Sequence, residues 1–332
     1  MTNKKIVFQN IDSVVCESAD KIKITSPEDI LIETNASIIS TGTELSVWAG
    51  LESWAPLPYT PGYGSVGTIL ETGRNVKDLK IGDQIFTHGP HQKIALAKNY
   101  SQKIPDGLDP KVAVYTRMGG VAITSVMVSN AKIGDNVAVC GLGLVGNLAA
   151  QMFKLAGCNV IGIDVSSSKL ESAKKSGIDT VINGSSNVTE QIMELTHGHG
   201  VDTFVDATGI SKVIVDSIDA ISAGGECILL GTPRGNYQTD VVPLLRSIHI
   251  ANSNIQLKGA HEWKFPRYKF QTQDSQTSIE RNNEKLLRFF SEGKLITEPL
   301  QSHIVSPEEA PIAYKALKNK DENYFGVVIN WD

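Results

Sequence analysis

The sequence predicts an α/β protein, a doubly wound parallel sheet accompanied by a second, β-rich domain. Three observations predict it. The run Asn136 to Gly146, NVAVCGLGLVG, passes from a short apolar strand through glycines directly into a helix. Buried-strand and helix patterns then alternate as far as His261. The flanks differ in texture: short strands broken by glycine and proline come before residue 113, and mixed elements follow residue 261. Alternating strands and helices imply a parallel sheet covered on both faces, with its ligand at the C-terminal ends of the strands.

Residues 1–112 contain IVFQNI, DILIETNASIIS, SVGTILETG and QIFTHG, short strands with turn residues between them. This spacing suggests a small barrel-like β domain.

Residues 113–261 form the nucleotide-binding block. Gly141, Gly143 and Gly146 make G-x-G-x-x-G, with Leu144 and Val145 opening the helix. The first glycine permits a tight turn, the second admits a pyrophosphate to the backbone amides, and the third lets helix and strand pack closely. The helix NLAAQMFKLAG stops at Gly157, and NVIGID follows as a second buried strand ending in Asp164, 18 residues after Gly146. A carboxylate there accepts both adenosine ribose hydroxyls, whereas a ribose 2′-phosphate about 4 Å away would cost on the order of 4 kcal/mol at an effective dielectric near 20. The expected cofactor is therefore NAD. Ser166, Ser167, Ser168 and Lys169 could bind a phosphate, although Lys169 also suits packing along the adenine; Asp164 as a helix N-cap is the alternative. Further strands are expected at Thr180 to Asn183, Val201 to Gly209, Glu226 to Gly231 and Ile255 to Ala260, with a helix over Lys212 to Ser222. Their C-terminal ends carry Ala207, Thr208, Gly231, Thr232, Ala260 and His261.

Residues 262–332 read as a polar helix from about Ser278 to Gly293, a strand near His303, a helix opened by Ser306 and Pro307, and a last strand GVVIN. Ser306 with Glu309 forms a capping box. The polar stretch Arg267 to Arg281 is expected to be a loop with mobility.

The 332 residues suffice for two cores, and a net charge of −5 without a basic run argues against nucleic acid or an anionic membrane as partner. Small soluble ligands are expected. The start MTNKKIVFQNIDSV lacks the apolar core of a signal peptide, which points to the cytoplasm. Cys16, Cys140, Cys158 and Cys227 show no C-x-x-C or Cys/His pairing and read as reduced core residues. A homodimer or homotetramer is expected.

Gly42-Thr43-Glu44, Pro61-Gly62-Tyr63-Gly64-Ser65-Val66-Gly67 and Lys132-Ile133-Gly134-Asp135 running into the glycine turn together resemble the medium-chain dehydrogenase/reductase superfamily, across essentially the whole chain. The resemblance implies a GroES-like catalytic domain, a Rossmann domain and a substrate cleft between them. The wording ISTGTE and PGY-x-SVG is most similar to the bacteriochlorophyllide dehydrogenase-like and unassigned sorbitol dehydrogenase-like branches, which transfers no substrate.

The departures from that family matter more. Zinc-dependent members carry a cysteine where this chain has Thr41, and the histidine and glutamate of G-H-E where it has Tyr63 and Gly64. The third ligand region falls at Val121 and Arg117, and the four-cysteine structural zinc lobe expected around residues 88–110 is missing. A catalytic zinc needs three Cys, His or carboxylate ligands. The chain therefore reads as a zinc-independent member with no metal.

Hydride transfer without a metal still needs the substrate oxygen polarised and a proton moved. Thr43 occupies the family's hydroxyl-relay position. Tyr63 can donate a proton or simply fill the space the metal vacated. His261 suits acid–base work near neutral pH or a structural hydrogen bond. Arg117 can anchor an anionic or polyhydroxyl substrate or make an ion pair. His88 and His91 lie in a loop that could line the cleft, Trp48 and Trp54 could wall the pocket, and His197 and His199 read as a solvated loop. The leading expectation is an NAD(H)-dependent alcohol or polyol dehydrogenase. A quinone or enone reductase and a non-catalytic dinucleotide-binding sensor are the alternatives.

Overall fold

The computed structural model describes residues 3–97, 101–269 and 277–332. The chain divides into two compact units: Met1–Arg117 with Pro266–Asp332, and Met118–Phe265.

The first unit begins with β1 (Lys4–Asn10), β2 (Ser13–Ser18), β3 (Ile30–Ile38), β4 (Ser65–Thr72), β5 (Gln84–Thr87), β6 (Ile94–Ala97) and β7 (Gln102–Lys103). Along β3 the side chains of Ile30, Ile32, Thr34 and Ala36 are buried in strict alternation, the signature of a strand with one face on a core. β3 is central: it pairs antiparallel with β4 and β6. β1 and β2 form a separate antiparallel hairpin. β2, β6 and β7 add to the strands read from sequence.

The second unit carries β8 (Asn136–Cys140), β9 (Asn159–Asp164), β10 (Thr180–Asn183), β11 (Val201–Asp206), β12 (Ile221–Leu229) and β13 (Gln256–Gly259). They form one parallel sheet in the order β10-β9-β8-β11-β12-β13. The order reverses direction between β8 and β11, so their C-terminal ends open the crevice in which such sheets bind ligands. Val137, Ala138, Val139, Phe204 and Val205 are fully buried, as strands covered by helices on both faces require. The helix expected over 212–222 is shorter: it spans Ser211–Asp216, a 3₁₀ turn takes Ile218–Ala220, and Ile221 already belongs to β12.

The chain then returns to the first unit through the helix Ile279–Ser291, capped by the Ser278 hydroxyl on the Arg281 amide, and adds β14 (His303–Val305) and β15 (Val327–Asn330). β15 pairs antiparallel with β3 and closes the sheet order β14-β15-β3-β4-β5-β7. Between them the Ser306 amide and hydroxyl both donate to the Glu309 carboxylate, at 2.8 and 2.9 Å. Only half of the capping box is made, the Glu309 carboxylate on the Ser306 amide; residues 307–309 form a turn and the regular helix is Ala310–Lys318, later than its sequence start signal. The expected mobile loop 267–281 includes residues 270–276, which lie outside the described residues.

The first unit's main core joins distant segments. Phe8 stacks on Trp48 at 5.8 Å between centroids and meets the Tyr314 ring edge-on at 5.1 Å. Among the described residues no helix is long and apolar enough to cross a membrane.

Candidate active site

In the second unit the glycine turn links β8 to the helix Leu144–Leu155. Gly141 has φ +91°, a conformation that L side chains rarely adopt, and a Cβ there would lie 2.8 Å from Thr208 Cγ2. A Cβ on Gly146 would sit 1.7 Å from the Gly141 carbonyl oxygen, whereas one on Gly143 would meet nothing within 4 Å. The helix thus starts tight on its strand and leaves a hollow at Gly143, its N-cap. The amides of Leu144, Val145 and Gly146 have no acceptor within the helix and give that hollow a positive end. A dinucleotide pyrophosphate fits this cradle by charge and by space.

Asp164 ends β9 at 7% exposure. Its Oδ2 accepts the Leu142 amide at 2.7 Å and its Oδ1 accepts the Ser166 amide at 2.9 Å, with the Lys169 ammonium 4.0 Å away. Ser166, not Asp164, occupies the N-cap of the helix Ser167–Lys175. The carboxylate therefore ties the glycine turn to the next helix, and each oxygen keeps a lone pair for a ribose hydroxyl.

The neighbouring strand ends converge on the same turn. The Ala207 amide donates to the Cys140 carbonyl at 2.8 Å and the Gly231 amide to the Asp206 carbonyl at 2.8 Å. A Cβ on Gly231 would lie 2.3 Å from the Gly209 amide nitrogen, and one on Gly209 would lie 2.4 Å from the Thr232 carbonyl oxygen. Asp206, which sequence reasoning passed over, is fully buried and accepts the Thr208 amide at 3.0 Å and the Thr208 hydroxyl at 2.5 Å. Burial raises its carboxyl above the ordinary range. Burial also pushes the Cys140 and Cys227 thiols up to about 12, which suits inert core residues. His261 is exposed and opens the 3₁₀ turn Glu262–Lys264.

In the first unit, Thr43 begins the helix Thr43–Trp48 and Tyr63 precedes β4. The Tyr63 phenol hydrogen-bonds the Ser40 hydroxyl, with Thr43 nearby. Arg117, 3% exposed, holds its guanidinium carbon 4.9 Å from the centroid of the Tyr63 ring. Gly64 makes room for it, since a Cβ there would lie 2.5 Å from both Cβ and Cγ of Arg117. Burial raises the Tyr63 pKa, with Arg117 pulling the other way and Glu44 adding to the rise. His88 sits edge-on to Phe86 at 5.7 Å, and burial with the charge of Arg117 drives its pKa down to about 2, so its imidazole is neutral.

Of the positions where the resemblance marks zinc ligands, Tyr63 and Arg117 touch, and Thr41 and Gly64 offer no donor. A permanent guanidinium among a phenol and hydroxyls is not a zinc ligand set. Among the described residues, no group of three or more His, Cys, Asp or Glu side chains is arranged to hold a metal ion.

Two expectations are corrected. His91 does not line a cleft from an open loop: it is fully buried, with Nε2 3.1 Å from Glu44 Oε2 and Nδ1 2.8 Å from Ser37 Oγ. Trp48 does not wall a pocket: it lies in the core, with its indole N–H on the Asn10 carbonyl at 3.0 Å. Trp54 is exposed, edge-on to Tyr59 at 6.2 Å, with its indole N–H on Glu52. The structure adds Ser37, Ser40, Tyr314 and Trp331, of which only the serines gave a signal, as polar residues in an apolar strand run.

Residues 26–107 match the model of the alcohol dehydrogenase GroES-like domain, and residues 145–270 match that of the zinc-binding dehydrogenase family. The D-guloside 3-dehydrogenase of Escherichia coli (strain K12) is 28% identical over 255 residues, covering 75% of this chain and 71% of that protein. The fold is similar to that of 2R,3R-butanediol dehydrogenase from Bacillus subtilis, with a TM-score of 0.82 and 19% identity over 100% of both chains. It is also similar to that of a Sinorhizobium meliloti 1021 protein solved with NADP, with a TM-score of 0.83 and 19% identity over 100% of both chains. With its GroES-like and dinucleotide-binding units and these matches, the chain belongs to the medium-chain dehydrogenase/reductase superfamily.

Proposed function

We propose that this chain is an NAD(H)-dependent, zinc-independent oxidoreductase that interconverts an alcohol or polyol and its carbonyl. The observation that carries this reading is the contact between Tyr63 and Arg117 at positions where metal-dependent relatives place ligands, with Ser40 and Thr43 at the phenol. A bound nicotinamide would supply or accept the hydride.

The remaining work falls to the chain's own side chains. In reduction, the Tyr63 phenol gives its proton to the substrate oxygen as negative charge develops there. The Ser40 hydroxyl then relays a proton from solvent to the phenolate, taking one as it gives one. Arg117 stabilises the negative charge on either oxygen, the electrostatic role a metal would otherwise fill. The raised Tyr63 pKa keeps the phenol protonated at neutral pH, which suits an acid better than a base. His261 is a second proton-transfer candidate, and Trp54 and Arg117 are candidates for substrate contact. The relative's D-guloside activity supports a polyhydroxyl substrate. Asp164 supports NAD over NADP, with the Lys169 ammonium 4.0 Å away weakening that preference. A homodimeric or homotetrameric state is proposed for the chain.

The test is a turnover screen of metal-analysed protein with NAD(H) and NADP(H) against alcohols, polyols, aldehydes, ketones, quinones and enones. Turnover of an alcohol–carbonyl pair supports the reading. Turnover confined to quinones or enones, or cofactor binding without any turnover, contradicts it.

A further inference from the structure

Beneath the Tyr63–Ser40 contact lies a fully connected buried polar chain that the reaction as described does not use. Trp331 Nε1–H donates to Ser37 Oγ at 2.8 Å, and Ser37 Oγ meets His91 Nδ1 at 2.8 Å. His91 Nε2 meets Glu44 Oε2 at 3.1 Å, the Tyr314 hydroxyl donates to the same oxygen, and the Ser40 amide donates to Glu44 Oε1 at 3.1 Å. Every bond is satisfied with Nε2–H donating to the carboxylate and Nδ1 sharing a proton with the Ser37 hydroxyl in either direction. Glu44 is 2% exposed, and His91 and Tyr314 are fully buried. A carboxylate is expensive to bury and is retained only with such a set of donors.

The chain grips both arms of the reacting cluster. On one arm, the Glu44 amide donates to the Ser40 carbonyl at 3.0 Å while its carboxylate takes the Ser40 amide. The turn from Ser40 to Thr43 is thus closed from both sides. On the other arm, the His91 amide donates to the Pro61 carbonyl at 2.8 Å. A Cβ on Gly62 (φ +100°) would lie 2.4 Å from the His91 nitrogen and 2.8 Å from its Cγ, so the residue before Tyr63 rests directly on His91.

We propose that Glu44 and His91 are positioning residues for proton transfer: their buried pair joins the Ser40–Thr43 turn to the Tyr63 segment and fixes the meeting of hydroxyls and phenol. This rests on the alcohol–carbonyl reading above. A displacement of about 1 Å at reacting groups can cost 10²-fold in rate, so the pair need not touch substrate to matter.

The experiment compares Glu44→Gln, His91→Leu and His91→Gln in the full chain, read by kcat, by cofactor affinity and by ¹³Cζ-tyrosine NMR, with Tyr63→Phe assigning the resonance. Tyr63 is faced by the Arg117 cation, the Glu44 anion, the Ser40 and Thr43 hydroxyls, and, more remotely, Tyr59 and Tyr314. Glu44→Gln should lower kcat about 10- to 100-fold, leave NADH affinity within about threefold, and move the Tyr63 titration to lower pH, because an adjacent negative charge is gone. His91→Leu should lower kcat similarly, and His91→Gln, which keeps an N–H near Nε2, should recover most of it. Should Glu44→Gln not fold, Tyr314→Phe removes one donor to the carboxylate while keeping the ring, and it should still lower kcat severalfold. Folded variants with parental kcat and an unmoved Tyr63 titration would overturn the proposal. The NMR readout needs no turnover, so with an inactive parent, which defeats the alcohol–carbonyl reading, an unmoved Tyr63 titration would still show that the pair does not set the phenol's surroundings.

Discussion

The guanidinium of Arg117 lies over the Tyr63 ring, 4.9 Å from its centroid, and joins two segments more than fifty residues apart in sequence. Such a contact is worth about 2 kcal/mol when desolvated. Arg117→Met should lower kcat/KM by about 10²- to 10³-fold if the charge stabilises the reacting oxygen, as removal of a comparable donor does elsewhere. Arg117→Lys should recover part of this, since a point charge replaces a planar one. Steady-state kinetics on the three proteins checks the order.

Gly64→Ala should destabilise the first unit by about 1–3 kcal/mol through overpacking, because the new methyl would meet the Arg117 stem at 2.5 Å. Denaturant unfolding measures it, and activity should fall with the displaced guanidinium.

Two glycines of the same motif should part company. Gly146→Ala should unsettle the fold, its methyl driven to 1.7 Å from the Gly141 carbonyl. Gly143→Ala should melt like the parent, since its methyl meets nothing within 4 Å, yet bind NADH at least tenfold more weakly because the methyl enters the phosphate hollow. Thermal melts paired with fluorescence titration separate the two effects.

NADH should bind at least tenfold more tightly than NADPH, about 1.4 kcal/mol, owing to Asp164. Competitive titration decides it, and equal binding would mean that Ser166 to Lys169 outweigh the carboxylate.

His88 sets a pH dependence. Its pKa falls from 6.5 to about 2 on folding, so below pH 6.5 the unfolded chain binds a proton the folded chain does not. Stability is therefore complete above pH 6.5 and declines as pH drops toward 2. The melting temperature should fall between pH 7 and pH 5, and His88→Gln should flatten that slope.

The middle of the parallel sheet was legible in the sequence because strands such as Asn136–Cys140 before Gly141 and Asn159–Asp164 are short, apolar and closed by turn residues. Local chemistry sufficed there. The first unit was less legible, since Gln102–Lys103 is a strand only through its pairing with β5. Trp48 looked available for a pocket until Phe8 and Tyr314, distant in sequence, were seen to cover it. Glu44 was visible only as a motif letter: its carboxylate acquires meaning from His91 and Tyr314, whose approach no local pattern encodes. Asp206 escaped notice for the opposite reason, a wholly local turn that resembles any strand end.

The proposed chemistry requires a hydride-transfer site that works without a metal. The most direct measurement is turnover of protein stripped by chelation, with zinc counted per chain before and after. Far less than one zinc per chain is expected at the outset, with no change in turnover. One equivalent of tightly held zinc, whose removal abolishes turnover and whose return restores it, would contradict it.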